Sequence, residues 1–282
     1  MILRVATLSI FLMVGVLGAA ETSDAPKPDR PGWKLVWSDE FETEGAPDPK
    51  KWDYEVGWVR NGELQFYTED RRENARVEKG ALILEARKET FPNPKYDPAA
   101  KRKAKQNADY TASSLTTKNA ASWKYGRVEV RAKLPAGRGT WPAIWMLPTD
   151  FKDGWPKCGE IDIMEFVGFD PDGVHTTIHC QAFNHIKNTQ KGKRTAQAGV
   201  SNDFHVYAVE WTEKKIDFFL DEKNVFTFEN NGSGNDAWPF DKPFYLKLNF
   251  AIGGGWGDAK GVDDSIFPQK FLVDYVRVYE KQ

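Results

Sequence analysis

From Ala81 to Tyr279 the sequence is a succession of short β-forming runs broken by turn residues. No stretch of ten or more residues sustains a helical period. Arg127-Val128-Glu129-Val130-Arg131-Ala132 alternates polar and apolar side chains, as a half-buried strand does. Ala81 to Ala86 alternates poorly but is compatible with a strand. Val206 to Trp211, Ile216 to Leu220 and Val225 to Phe228 predict a meander, with Asp221-Glu222-Lys223-Asn224 as a hairpin turn. Phe244 to Phe250 and Phe271 to Tyr279 predict two closing strands. A sheet must bury its apolar face against another layer, so many strands without helices imply an all-β sandwich or jelly roll. No internal repeat and no domain-sized linker interrupts the chain after residue 31.

The beginning of the chain has a different character. Arg4, the apolar run Val5 to Val16 and the small residues Gly18-Ala19-Ala20 read as a secretory leader over residues 1–20, too short for a membrane span. Residues 21–31 read as a flexible lead-in, which leaves 32–282 as one large domain. A secreted or periplasmic protein is expected, a monomer not held at a membrane once the leader is removed. The formal net charge of −2 suggests no polyanionic partner. Lys101-Arg102-Lys103 with Lys105 reads as a solvated loop, not a nucleic-acid patch.

Between Trp155 and Gly168 the chain reads Gly159-Glu160-Ile161-Asp162-Ile163-Met164-Glu165-Phe166-Val167. Strand side chains alternate, so Glu160 and Asp162 face one side while Ile161 and Ile163 face the other. Strict alternation would send Glu165 to the apolar side, where an unpaired charge is costly. One extra residue at Ile163-Met164, a β-bulge, returns all three acids to the same side. The segment is then either a solvated sheet face or a carboxylate array built for chemistry. Trp141, Trp145 and Trp155 upstream and His175 and His179 downstream favour chemistry, because a merely soluble face has no use for that aromatic density. Glycoside hydrolysis requires two carboxyl groups flanking one bond. A third acid between them raises its neighbours' pKa and helps keep a general acid protonated.

Glu160-Ile161-Asp162-Ile163-Met164-Glu165 resembles the catalytic motif of glycoside hydrolase family 16, the laminarinase and lichenase group. Trp37-Ser38-Asp39-Glu40-Phe41 is similar to that family's opening strand, and Asn61-Gly62-Glu63-Leu64-Gln65-Phe66-Tyr67 to an early cleft segment. Tyr125 to Arg131 and Gly139 to Pro148 resemble the strands before the motif, and Asp274 to Tyr279 the terminal strand. The resemblance implies a concanavalin-like β-sandwich of two curved antiparallel sheets with the sugar chain in the concave cleft. It implies a retaining endo-hydrolase with Glu160 as nucleophile, Glu165 as acid/base and Asp162 as assisting carboxylate. The bulged, six-residue motif is typical of the family's laminarinases, agarases and related enzymes, and the Asn61-to-Tyr67 and Trp141-to-Trp145 segments most resemble β-1,3-glucanases, which implies laminarin or mixed-linkage β-glucan as substrate. An agarase- or carrageenase-type galactan hydrolase and a non-catalytic glycan-binding sandwich are the alternatives. With the bulge, the Cα atoms of Glu160 and Glu165 stand about 13 Å apart at ~3.3 Å per residue. A retaining pair needs carboxyl groups about 5–5.5 Å apart, so both side chains must lean inward.

The resemblance also implies subsite residues. Asn61 and Glu63 lie in the early cleft segment, and Trp141, Trp145 and Trp256 are candidate sugar platforms, with core packing the other reading of each. His179, on a strand Val174 to Cys180 expected beside the catalytic strand, is placed near the acids. His175 and His179 stand about 13 Å apart on such a strand, too far to share a zinc ion. If His179 faces the cleft, Cys180 faces away while Cys158 shares the parity of Glu160, so two free thiols are expected. Gly253-Gly254-Gly255-Trp256-Gly257 lacks the Lys-Ser/Thr pair of a phosphate loop and reads as a cleft-edge loop presenting Trp256. No cofactor is expected for catalysis. A structural calcium is suggested by the resemblance alone, with Glu42, the Gly80 backbone and Asp274 as oxygen ligands.

Overall fold

The structure, a computed structural model, describes residues 30–99 and 105–282. The leader, nearly all of the lead-in and Lys101-Arg102-Lys103 lie outside the described residues. In chain order the strands begin with β1 Trp33–Asp39, β2 Asp53–Tyr54, β3 Phe66–Tyr67, β4 Ala75–Glu78, β5 Ala81–Pro92 and β6 Asn107–Ala112. Next come β7 Ser114–Thr116, β8 Gly126–Lys133, β9 Thr140–Pro148, β10 Glu160–Phe166, β11 Gly173–His179 and β12 Lys191–Ala196. The chain closes with β13 His205–Trp211, β14 Lys215–Leu220, β15 Lys223–Glu229, β16 Phe244–Ile252 and β17 Gln269–Lys281. Among the described residues helix is confined to one α-helical turn, α1 Gly254–Gly257, and two 3-10 turns.

The strands form two sheets. One has seven strands in the order β12-β11-β10-β9-β16-β7-β2. The other has ten, β15-β14-β13-β8-β17-β5-β6-β3, with β1 added beside β17 and β4 beside β5. Pairing is antiparallel except where β3 runs parallel to β6. The expected meander is present as β13-β14-β15. Its turn is tighter than expected: only Asp221 and Glu222 lie outside the strands, both at positive φ (49 and 64°), the geometry of a two-residue primed hairpin.

One core lies between the sheets. Ile161, Ile163, Met164 and Phe166 of β10 join Leu246, Leu248 and Phe250 of β16 on the seven-stranded side. They meet Leu82 and Leu84 of β5, Val128 and Val130 of β8, and Val276 and Val278 of β17. Each such side chain contributes about 1.5–3 kcal/mol by leaving water. On the outward face of the ten-stranded sheet, Arg127 is fully buried among Glu129 (2.9 Å), Glu210 (2.9 Å) and Glu222 (2.7 Å). The outward face of the seven-stranded sheet carries a second, smaller apolar cluster, Ala143, Trp145, Leu147 and Tyr245, flanked by Trp155. Glu160, Asp162 and Glu165 emerge on that face.

Candidate active site

The expected bulge is present. Across β11, Thr177 opposes Asp162 and His175 opposes Glu165, so the two residues Ile163 and Met164 share the single partner position between them. On the other side Trp145 opposes Asp162, Ile144 opposes Met164 and Ala143 opposes Glu165. Ile163 and Met164 are both fully buried in the core. The extra residue is thus absorbed by apolar side chains, and Glu165 stays out of the core.

Pairing extends these positions into rows of same-face side chains. The row through Asp162 runs Thr177, Asp162, Trp145, Lys247 and Thr116 across β11, β10, β9, β16 and β7. The row through Glu165 runs His175, Glu165, Ala143, Asn249 and Ser114. Glu160 sits directly across from His179.

Each acid has its own neighbours. The Trp141 indole N–H donates to Glu165 Oε1 (3.1 Å), and Trp155 stands beside Glu160 and favours its ionised form. His179 Nε2 lies 3.4 Å from Asp162 Oδ2 and 3.9 Å from Glu160 Oε1. Burial is the largest influence on all three carboxyls and pushes each above the ordinary carboxylate range. Glu165 adds its charge to the rise at Glu160, and Glu160 and Glu165 add theirs at Asp162. Three carboxyls this close cannot all be ionised near neutral pH.

Both glutamates stand high, Glu160 at about 8 and Glu165 at about 7, and their surroundings differ. Lys247 and Arg60 pull Glu160 back toward its ionised form, whereas the acid Glu63 pushes Glu165 further up. Lys247 is itself buried: its Nζ donates to Glu55 (2.7 Å) and lies 4.0 Å from the centre of the Trp145 ring. Burial, and then Arg60, lower Lys247 to about 8. Glu55 also takes Arg60 and the Ser114 hydroxyl (2.6 Å) as partners. Burial opposes its ionisation, but Arg60 and Lys247 prevail and hold it at about 2. Burial, then His185, lower His179 to about 4, so its imidazole is neutral at neutral pH.

The remaining expected residues fall into groups. Glu63 is buried and accepts from Asn61 (3.2 Å), Gln65 (2.7 Å) and the Tyr67 hydroxyl (3.1 Å), while Asn61 is exposed at the cleft edge. Trp256 is carried by α1 and meets Trp141 edge-on at 5.7 Å and His175 at 4.8 Å. Gly257 lies so close to Trp141 that an added Cβ would stand 3.2 Å from the Trp141 Cβ. Trp145 presents little of its ring to the cleft. It is 8% exposed, Lys247 covers it, the Arg60 guanidinium lies 5.0 Å from its centre, and its indole donates to Asn249 (2.6 Å). It supports the floor of the site. Both cysteines are free and buried, as the strand parity required.

The calcium ligands implied by the resemblance are Glu42, the Gly80 backbone and Asp274. Register brings Asp274, the turn at Gly80 and the end of β1 into one corner, but Asp274 Oδ2 accepts from Arg131 (2.7 Å) and Glu42 is exposed.

Sequence reasoning missed Lys247, Glu55 and Arg60, and named Trp155 as part of the aromatic surroundings without giving it a role at Glu160. A signal existed for Lys247: Tyr245, Lys247 and Asn249 alternate with Phe244, Leu246, Leu248 and Phe250, which places a lysine on the face of the acids. Glu55 and Arg60 come from a loop whose path no periodicity reveals.

Comparison with known proteins agrees with this geometry. The family model described as "Glycosyl hydrolases family 16" matches residues 62–277. The chain is 48% identical over 283 aligned residues to a beta-glucanase of Rhodothermus marinus, covering 96% of this chain and 92% of that protein. The laminarinase structure from Rhodothermus marinus superposes with a TM-score of 0.81 at 49% identity, covering 89% of this chain and 98% of that one. The laminarinase catalytic domain from Thermotoga maritima superposes with a TM-score of 0.78 at 37% identity, covering 89% and 99%.

Proposed function

The chain belongs to glycosyl hydrolase family 16, and from that premise we propose that it is an endo-1,3(4)-β-glucanase acting with retention on laminarin or mixed-linkage β-glucan. The observation that carries the reading is the bulged strand that turns Glu160, Asp162 and Glu165 to one face. Glu165, pushed up by burial and by Glu63, holds the proton that goes to the leaving glycosidic oxygen. Glu160, with Lys247 and Arg60 favouring its anion, attacks the anomeric carbon as that bond breaks and forms a glycosyl-enzyme ester. Glu165, now ionised, takes a proton from water as the water attacks the ester, which returns both residues to their starting states. Asp162, the next same-face acid along β10, shares the neighbouring His179 with the nucleophile. Trp141 orients the acid/base, and Trp141 and Trp256 offer aromatic surface to the sugar chain.

Release of reducing sugar from laminarin, barley β-glucan and agarose, measured in parallel, tests this reading. Activity on either glucan with none on agarose is the expected result; cleavage of agarose alone would move the protein to a galactan substrate. Glu160→Gln should reduce kcat by about a thousandfold or more, as loss of a nucleophile does, while glucan binding persists. Wild-type turnover unaffected by that change would remove Glu160 from its role.

A further inference from the structure

The geometry points to a second use of the same carboxylates: Glu160, Asp162 and His179 form an inhibitory binding site for a borderline transition-metal cation such as Zn2+. One ligand atom from each of the three lies within 4.8 Å of the other two, the only such grouping of three or more His, Cys, Asp or Glu side chains among the described residues. The convergence follows from the strands. Glu160 and His179 are direct cross-strand partners, and Asp162 is the next same-face residue along β10.

The site contains unused bonding capacity. Asp162 is 3% exposed, yet its Oδ2, the oxygen facing His179, has no hydrogen-bond partner. At 3.4 Å from that oxygen, His179 Nε2 is near it without bonding it. Buried polar atoms are seldom left this way, and an orphan oxygen beside an imidazole nitrogen and a second carboxylate is an arrangement a cation completes. Tetrahedral zinc with bonds of about 2.0–2.2 Å holds its ligand atoms roughly 3.3–3.6 Å apart, so small side-chain movements would close the set. Three protein ligands leave a fourth position for water, on the side where Glu160 remains partly exposed.

An imidazole ligand selects the kind of ion. Zn2+, Cu2+ and Ni2+ accept mixed nitrogen and carboxylate sets, whereas Ca2+ and Mg2+ require more oxygen ligands than this site supplies. His175, the other histidine on β11, is turned to Asp170 (3.4 Å) and Trp256 and takes no part. His185 lies beside His179, 5.2 Å between ring centres, but outside the three-ligand group.

Bound metal would occupy the carboxylate that the proposed mechanism uses as nucleophile, so inhibition rests on the glucanase reading, whereas binding does not. The test is therefore isothermal titration of the metal-free full chain with Zn2+, and separately with Ca2+, alongside laminarin hydrolysis with and without Zn2+. One Zn2+ per chain and no Ca2+ at this site are expected. His179→Ala and Asp162→Asn should each weaken Zn2+ binding at least about tenfold, the loss that even outer partners of metal ligands produce. His185→Ala should leave it unchanged, and His179→Gln is the substitute if the alanine variant does not fold. Absence of stoichiometric Zn2+ binding overturns the proposal, as does binding that survives both Asp162→Asn and His179→Ala or is lost with His185→Ala. Zn2+ that binds in the expected pattern in a protein without laminarin hydrolysis would uphold the site and refute the glucanase reading. Zn2+ binding without inhibition of an active enzyme would overturn the inhibitory role.

Discussion

The two glutamates differ in what stands beside them, and single substitutions should move the two limbs of the pH profile separately. Trp141 donates to Glu165 and thereby favours its ionised form. Trp141→Phe removes that donor, so Glu165 should hold its proton to higher pH. A hydrogen bond to a charged group is worth about 1.5–3 kcal/mol, so the alkaline limb of kcat/KM should rise by about 1 pH unit or more. Lys247 acts in the same sense on Glu160. Held at about 8, it is still charged where the acidic limb lies and favours the Glu160 anion. Lys247→Met should raise the acidic limb on the order of 1 pH unit, the scale of one charge acting across about 10 Å at an effective dielectric near 20. Unmoved limbs in the respective pH–rate profiles would refute either assignment. The three acids were legible because their spacing conflicts with strand alternation. The cationic floor was not, because Arg60 and Glu55 reach it through a loop, and no periodicity shows the cations that cover Trp145.

At the scale of the element, β10 shows how one residue redirects a strand. Removing Met164 would leave Glu160, Asp162 and the present Glu165 at regular two-residue spacing, still on one face. The deletion should therefore fold with all three acids outward. It should be destabilised by about 2–5 kcal/mol through loss of a fully buried side chain, and its activity should fall as Glu165 is re-aimed. Denaturant midpoints and kcat on laminarin check this; a deletion variant that loses no stability would mean the bulge is not packed as described. β8, with its clean alternation, and β13 and β14, as apolar runs between turn residues, were readable in the sequence. The buried β6 and β7 were not, because Thr111, Ser113, Ser114 and Thr116 give a nearly solvent-free segment a polar composition. In α1 a single turn of Gly254–Gly257 is too short for any period to register.

For the molecule as a whole, the sandwich separates chemistry from one of its structural charge networks. The acids stand on the outward face of the seven-stranded sheet, and the buried Arg127 cluster stands on the outward face of the other. Arg127→Met would leave Glu129 buried with only the partly exposed Arg30 (3.3 Å) and the Tyr279 hydroxyl (3.4 Å) as partners. Breaking such a network by removing one member costs about 3–5 kcal/mol, so Tm should drop on the order of 10 °C. Activity of the folded fraction, assayed well below that Tm, should be unchanged; a change in kcat would show that the two faces are coupled. The cysteines carry a different consequence. Burial raises the Cys158 thiol to about 11 and the Cys180 thiol above its ordinary value, and no sulfur–sulfur bond joins them. Strand pairing and packing hold this fold without a covalent clasp, so its maturation calls for no thiol oxidation, and the same product should form on either side of a membrane that divides a reducing from an oxidising compartment.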